Sequence, residues 1–279
     1  MNVELFQSLM QRAGNADAAG FVDLAIAAVQ SGNSGEMPWA HSLAHAMFWA
    51  RLGAATRPDA ANLTSLAQVL IAYANDARQR ISSAQGDHLG AQAIFRLEQA
   101  AQLGDEDAAS LLSVAAESLS PAASSLAAQW QTNGRADDIA VEDACLKSAA
   151  AGDPQAIADV FDTALNTAYQ NIAQEEDAMA LLHVISVFGC ATGNPQLTLR
   201  YAGMLISLAA HRGCVERSEQ DRCHLAAEGL RILAELACGD AGAGKYLQGV
   251  LAFVPLQAVS LAAVDRPELL AFVAVAGSC

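Results

Sequence analysis

Apolar residues recur along the chain at the three- and four-residue spacing of an amphipathic α-helix. Two segments show the pattern well, and each places a continuous apolar stripe on one helical face. The first stripe comprises Leu63, Leu66, Ala67, Leu70, Ile71 and Ala74, and the second comprises Ala108, Leu111, Leu112, Ala115 and Leu119. No segment alternates apolar and polar residues between hairpin turns, as a half-buried strand would. The sequence therefore predicts an all-α protein.

The helical periods and their start and stop signals divide the chain into consecutive segments. The predicted helices are 2–12, 17–31, 37–54, 59–83, 88–103, 106–118, 121–132, 137–151, 154–173, 175–191, 195–211, 219–238, 241–254 and 256–275, the last broken near Pro267. The polar, glycine-containing segment 131–138 is the best candidate for a boundary. Because stacked repeats share a continuous core, we otherwise expect residues 1–279 to form a single α-helical repeat domain.

Several helix junctions share one pattern: small residues, then Gly, then Asp or Asn, then in two cases Pro. Gly152 and Gly193 can adopt the left-handed conformation that ends a helix. Asp153 can then accept hydrogen bonds from the first N–H groups of the next helix. Pro154 fits the first helical position, where no N–H donor is needed. The pattern predicts short, well-defined turns between successive helices.

The spacing of these junctions predicts an architecture. Gly104, Gly152, Gly193 and Gly239 are separated by 48, 41 and 46 residues, which is room for two helices and their turns. Such a period is close to that of the longer helical-hairpin repeats. We therefore expect a right-handed superhelix, an α-solenoid built of antiparallel helix hairpins.

The junctions also resemble a known repeat family. The segments AIFRLEQAAQLGDEDAASLL (93–112) and ACLKSAAAGDPQAIADVF (144–161) are similar to half-repeats of the Sel-type, tetratricopeptide-like family, and AMFWARLGAATRPDAANL (46–63) is a looser match. The resemblance implies a solenoid whose concave face binds protein segments, in adaptor or regulatory roles. It supplies no catalytic residues.

Composition narrows the function classes. Apolar residues make up 53% of the chain, enough to order a core, and the net charge of −15 disfavours binding to nucleic acid. The first residues lack the pattern of a secretory signal peptide, so we expect a cytoplasmic protein with reduced thiols. The uncharged segment 246–264 approaches the length of a membrane span, but polar residues and Pro255 favour a buried helix pair within 246–276.

Cysteine, histidine and arginine concentrate in one stretch, AAHRGCVERSEQDRCHLAAE (209–228). Its four candidate metal ligands by residue type are His211, Cys214, Cys223 and His224. Their spacing differs from that of common zinc sites, and a Cys214–Cys223 disulfide or a plain interhelical loop are the alternatives. Three arginines, Arg212, Arg217 and Arg222, could receive an acidic peptide or phosphate if they share a face; a solvated loop is the alternative.

An aromatic-rich stretch forms the second candidate surface. His41 and His45 are four residues apart and so share a helical face, beside Trp39, Phe48 and Trp49. The alternatives are core packing and an aromatic groove for a partner segment. The acidic residues Glu175, Glu176 and Asp177 open a helix, where carboxylates complement its dipole.

No motif for catalysis, nucleotide binding or a cofactor follows from the sequence; GDAGAGKYL (239–247) lacks the spacing of a phosphate loop. We therefore expect a non-catalytic scaffold without a cofactor that binds a protein or peptide partner. The candidate partner-binding residues are Trp39, His41, His45, Phe48, Trp49, Arg212, Arg217 and Arg222. The competing hypothesis is a helical metal or redox sensor, or an enzyme, centred on residues 211–224.

Overall fold

The computed structural model describes residues 11–12, 15, 17–130, 132–133, 135–170, 175–210 and 218–276. Within these residues the secondary structure is entirely helical, which confirms the predicted all-α class. The helices are α1 Ala18–Asn33, α2 Trp39–Thr56, α3 Ala60–Arg80, α4 Ser83–Gln102, α5 Glu106–Ser118, α6 Pro121–Trp130, α7 Arg135–Ala150, α8 Pro154–Gln170, α9 Glu175–Ala191, α10 Pro195–Ala210, α11 Glu219–Ala237, α12 Ala241–Leu251, α13 Leu256–Asp265 and α14 Leu269–Ala276.

The chain divides into two compact units. Unit 1 comprises Met1–Thr192 and unit 2 comprises Gly193–Cys279. The division coincides with the Gly-Asn-Pro junction at 193–195, whereas the candidate boundary at 131–138 lies inside unit 1. The charge is divided unevenly, because unit 1 has 8 Lys and Arg against 22 Asp and Glu, and unit 2 has 7 against 8.

The helix junctions follow the predicted chemistry. Gly104, Gly152 and Gly193 have positive φ angles of 90°, 86° and 88°, the left-handed conformation that glycine adopts without a Cβ clash. Gly239 does not, so its junction is related to the others in sequence but differs in backbone conformation. The side chain of Asp153 accepts a hydrogen bond from the backbone N–H of Gln155 at 2.9 Å. These turns end and start helices within a few residues.

Helix α2 is the centre of unit 1. It packs against its neighbours in sequence, α1 and α3, and also against α7 and α9. Its residues are buried on almost every side, as expected of a helix surrounded by others. At its centre the rings of Phe48 and Trp49 meet Phe21 of α1 and Phe188 of α9, with ring centroids 5.0–6.3 Å apart.

Arginine–carboxylate pairs connect helices of unit 1 that are distant in sequence. The guanidinium of Arg96 on α4 donates two hydrogen bonds of 2.7 Å to the carboxylate of Asp143 on α7. On α2, Arg51 pairs with Glu142 of α7 at 3.0 Å. The bidentate Arg96–Asp143 pair is directional, so it constrains how α4 and α7 are placed against each other.

Helix α11 is the centre of unit 2 and packs against α10, α12 and α13. The largest buried cluster around it consists of small and aliphatic side chains, with Phe272 of α14 packed against them; the cluster comprises Ala202, Ala227, Leu230, Leu233, Ala234, Leu247, Val259, Ala262 and Leu269. The predicted terminal apolar region is therefore partly buried, through α13 and the start of α14. Every helix in the described part of the chain is too short or too polar to span a bilayer.

The contact between α10 and α11 depends on a glycine. A Cβ at Gly229 would lie 2.8 Å from the carbonyl oxygen of Ala202 and 2.8 Å from Cγ1 of Ile206, closer than real Cβ atoms approach backbone. At Gly249, in α12 of the same unit, a Cβ would meet nothing within 4 Å. Alanine substitution at both positions changes helix propensity, but only the substitution at Gly229 places a Cβ in occupied space between two helices.

We expect Gly229→Ala to destabilise unit 2 by about 1–2 kcal/mol, because α10 must move away from α11. The matched variant Gly249→Ala is expected to stabilise it by up to about 1 kcal/mol, the usual gain in helix propensity. Chemical denaturation followed by circular dichroism measures both. Equal stabilisation by the two variants would show that α10 and α11 do not approach at Gly229.

Candidate functional site

An apolar groove of about 430 Å³ lies in unit 2, and the 209–228 stretch contributes to two of its walls. Its lining residues come from the end of α10, the start of α11 and the turn between α12 and α13. They are Ile206, Ala209, Ala210, Glu219, Arg222, Cys223, Ala226, Val250, Phe253, Val254 and Pro255. A volume of this size is within the range of pockets that bind ligands.

Local signals in the sequence shape each wall. Helix α11 begins with a capping box, in which Ser218 accepts from the backbone N–H of Asp221 while the Asp221 carboxylate accepts from the backbone N–H of Ser218. Helix α12 ends at Leu251 and Pro255 precedes α13, so residues 252–255 form a turn. This turn places Phe253 on the surface, with 90% of its area exposed.

Small side chains keep the groove open. Cys223 and Ala226 of α11 form a buried cluster with Ala258 of α13, and Ala209, Val254 and Leu261 pack against it. The three buried members are small, so the walls meet without filling the space between them. Cys223 has a free thiol and is buried, so it packs in this cluster as a small apolar side chain.

Arg222 is the basic residue among the described lining residues of the groove. It is partly buried in the wall, and among the described residues no hydrogen bond or ion pair links its guanidinium to another group. The side chains of the other arginines in the described part of the chain all form ion pairs or other interactions. Glu219, one helical turn earlier, is exposed at the rim. The groove therefore combines apolar walls with one unpaired guanidinium.

Comparisons of the chain with protein-family models, with curated proteins and with solved structures found no match. Fold class alone does not determine function, since one architecture supports many activities. The function therefore has to be argued from the groove and from the other polar clusters of this chain.

The structure separates the candidate residues of the 209–228 stretch. Arg222 lines the groove, whereas Arg212 and Arg217 lie outside the described residues. Of the set of four candidate metal ligands, His211 and Cys214 lie outside them as well. Its two described members face different surroundings, because Cys223 is buried and His224 is exposed. Among the described residues, no group of three or more His, Cys, Asp or Glu could hold a metal ion.

The aromatic-rich stretch of unit 1 is divided between core and surface. Phe48 and Trp49 are buried in the aromatic cluster around α2, and Trp39 at the start of this helix is 38% exposed. His41 and His45 are partly buried on the same helix. Of the five candidates in this stretch, Trp39 is the most accessible. Core packing thus accounts for the two central aromatic residues.

His45 belongs to a histidine pair that joins α2 to α9. Its ring stacks on that of His183, with centroids 5.9 Å apart and planes 20° apart. Burial, followed by the neighbouring His183 and His41, lowers the pKa of His45 to about 3, and a hydrogen bond with the carbonyl of Ala180 opposes this shift. The ring is therefore neutral in the folded protein at physiological pH.

A buried polar cluster joins α3 to the first turn of α9. The Tyr73 hydroxyl donates to Asp177 at 2.5 Å, and Arg80 contacts both oxygens of the same carboxylate at 2.6 and 2.8 Å. Burial, with the charge of Asp177, raises the pKa of Tyr73, so the phenol remains protonated. A cavity of about 110 Å³ adjoins this cluster, with walls that include Met47, Leu89 and Leu181.

Proposed function

We propose that this chain is a non-catalytic helical-repeat protein that binds a segment of a partner polypeptide in the groove of unit 2. In this proposal it acts in the cytoplasm as an adaptor or regulatory scaffold. The observation that carries the proposal is the combination, in one groove, of aliphatic walls, the exposed ring of Phe253 and the unpaired Arg222. Exposed aromatic side chains and arginines are enriched among residues that anchor protein interfaces.

The proposed architecture is an α-solenoid related to the Sel-type, tetratricopeptide-like repeats. In its favour, successive helices pack against each other, as in α1 with α2, α3 with α4 and α10 with α11. The recurrent left-handed glycines at Gly104, Gly152 and Gly193 also support it. Helix α2 also packs against α7 and α9, which are distant from it in sequence. Unit 1 therefore contains contacts beyond those between successive helices.

The chemistry of the groove favours binding over catalysis. Among the described lining residues, Cys223 is the only thiol or hydroxyl nucleophile by residue type; it is buried at the base, and no histidine is among these residues to activate it. The charged side chains among the described lining residues are Arg222 and Glu219, which can recognise polar groups of a bound segment. An extended or helical segment could place one apolar side chain between Ile206 and Val254 while its backbone crosses the rim.

Peptides can be selected from a randomised display library for binding to the full 279-residue chain. We expect the selected peptides to contact Phe253. The variant Phe253→Ser should weaken their binding about tenfold, because it removes an aromatic anchor that contributes over 1 kcal/mol. Its matched control is Val264→Ser, at an apolar position of the same unit that is 79% exposed and lies outside the groove lining. Calorimetric titration measures both affinities.

Both replaced side chains are exposed, so neither variant removes core packing, and circular dichroism checks that both remain folded. Selection of no peptide, or equal affinity of Phe253→Ser and wild-type protein, would contradict binding in this groove. Equal weakening by Phe253→Ser and Val264→Ser would assign the binding to general surface hydrophobicity instead.

A further inference from the structure

We propose that the groove of unit 2 recognises a single carboxylate adjacent to an apolar side chain, with Arg222 as the residue that binds the carboxylate. This proposal rests on the proposed function and specifies the chemistry of the partner segment. The occupant is a peptide segment whose one carboxylate is supplied by Asp, Glu or a free C-terminus. Its apolar neighbour occupies the space beside Phe253 and Val254.

The argument begins with the pairing of arginines in this chain. Unit 2 has 8 Asp and Glu against 7 Lys and Arg, and the other arginines in the described part of the chain take part in ion pairs or other interactions. The guanidinium of Arg222 has no such partner among the described residues, although Glu219 lies on the same helix three residues away. A guanidinium carries five donors in a planar fork that fits a carboxylate. An unpaired, partly buried fork in a groove wall therefore offers a preformed site for this group.

The remaining lining defines what accompanies the carboxylate. Ile206, Val250 and Val254 are aliphatic, and the Cys223–Ala226 base is small and uncharged. An apolar side chain gains free energy here by displacing water, whereas a polar one would lose hydrogen bonds. One peptide segment can thus place a carboxylate against Arg222 and an adjacent apolar side chain against the aliphatic walls at the same time.

Glu219 limits the number of acidic groups. Its carboxylate is exposed at the rim, three residues from Arg222 on the same helix. A second carboxylate in the partner would therefore be repelled, so an acidic run should bind less well than a single acid within an apolar context. This preference distinguishes the groove from a general anion-binding surface.

The test selects peptides that bind the 279-residue chain from two randomised display libraries. In one library the peptides have free C-termini, and in the other their C-termini are fused to the carrier. We expect enrichment of an apolar residue beside one carboxylate. Enrichment in both libraries identifies a side-chain carboxylate, and enrichment confined to the first identifies a terminal carboxylate; either result supports the proposal. Amidation of a terminal carboxylate, or Asp→Asn or Glu→Gln in the peptide, should weaken binding about tenfold.

On the protein side, Arg222→Met should weaken the same peptides about tenfold, since methionine retains apolar coverage but no donors. Arg222→Lys should restore part of the affinity, and the control Lys245→Met removes an exposed charge of the same unit outside the groove. Equal weakening by Arg222→Met and Lys245→Met, or groove-bound peptides without a carboxylate, would overturn the proposal. If Phe253→Ser weakens binding and Arg222→Met does not, the groove binds peptides and only the carboxylate preference is wrong.

Discussion

Replacement of Asp177 by asparagine is expected to lower the free energy of unfolding of unit 1 by about 3 kcal/mol. The carboxylate is buried and accepts from both Tyr73 and Arg80, so its loss leaves a guanidinium and a phenol with a weaker, neutral acceptor. Breaking a buried ion pair typically costs about 3–5 kcal/mol, and we expect the lower end because Arg80 also contacts Asp76 at 3.0 Å.

Tryptophan fluorescence measures this effect selectively, because Trp39, Trp49 and Trp130 all lie in unit 1. The control is Asp138→Asn, which breaks a pair between Arg135 and an aspartate whose side chain is 67% exposed. Exposed pairs contribute at most about 1 kcal/mol, so the control should change little. A loss at Asp177 no larger than that at Asp138 would show that α9 is not fastened to α3 through this carboxylate.

Mild acid is expected to destabilise unit 1 through His45. The ring has a pKa of about 3 in the folded protein and an ordinary value near 6.5 when unfolded. Above about pH 6.5 it is neutral in both states and contributes no pH dependence. Between those values only the unfolded chain binds the proton. The free energy of unfolding therefore decreases as the pH is lowered, by at most about 1.4 kcal/mol per pH unit.

The decrease assigned to His45 between pH 7 and pH 5 is therefore up to about 2 kcal/mol. The variant His45→Gln has no titrating ring and retains an N–H donor for the carbonyl of Ala180, so its stability should fall less over this range. Tryptophan fluorescence during urea denaturation at several pH values gives the comparison. Parallel pH profiles for the wild-type protein and His45→Gln would contradict the neutral, buried His45 and its contact with α9.

The positions of helices could be predicted closely because their limits are set by local chemistry. Residues 106–118 and 175–191 were predicted as helices, and the structure has the same limits. The Asp caps, the glycines with positive φ and the prolines that open α8 and α10 act within a few residues of each other, and all are visible in the sequence. The predicted start of α4 at 88 was wrong by five residues, because Ser82 caps the helix earlier.

Partners of helices could not be predicted in the same way. A helical period shows which face is buried and does not show which helix covers it. Asp177 illustrates the problem, since next to Glu175 and Glu176 it has the pattern of a carboxylate that complements a helix dipole. Its buried contacts with Tyr73 and Arg80 join positions about a hundred residues apart.

The groove was only partly visible in the sequence. The 209–228 stretch was identified by its Cys, His and Arg content, and Arg222 was among the candidate binding residues. The opposite wall, from Val250 to Pro255, belongs to the apolar segment that the sequence predicts as a buried helix pair, with membrane association as the alternative, and nothing in the segment indicates a binding groove. A turn between two short helices brings it to α11, and this depends on packing around Cys223 and Ala258 rather than on any local motif.

Methyl-detected NMR of the full chain, titrated with a selected peptide, tests the central claim most directly. The account predicts chemical-shift changes at the methyl groups of Ile206, Val250 and Val254, while the exposed Val264 and the buried Ile139 of unit 1 remain unchanged. Saturable binding that shifts Val264 or Ile139 and leaves the three groove methyl groups unaffected would contradict it.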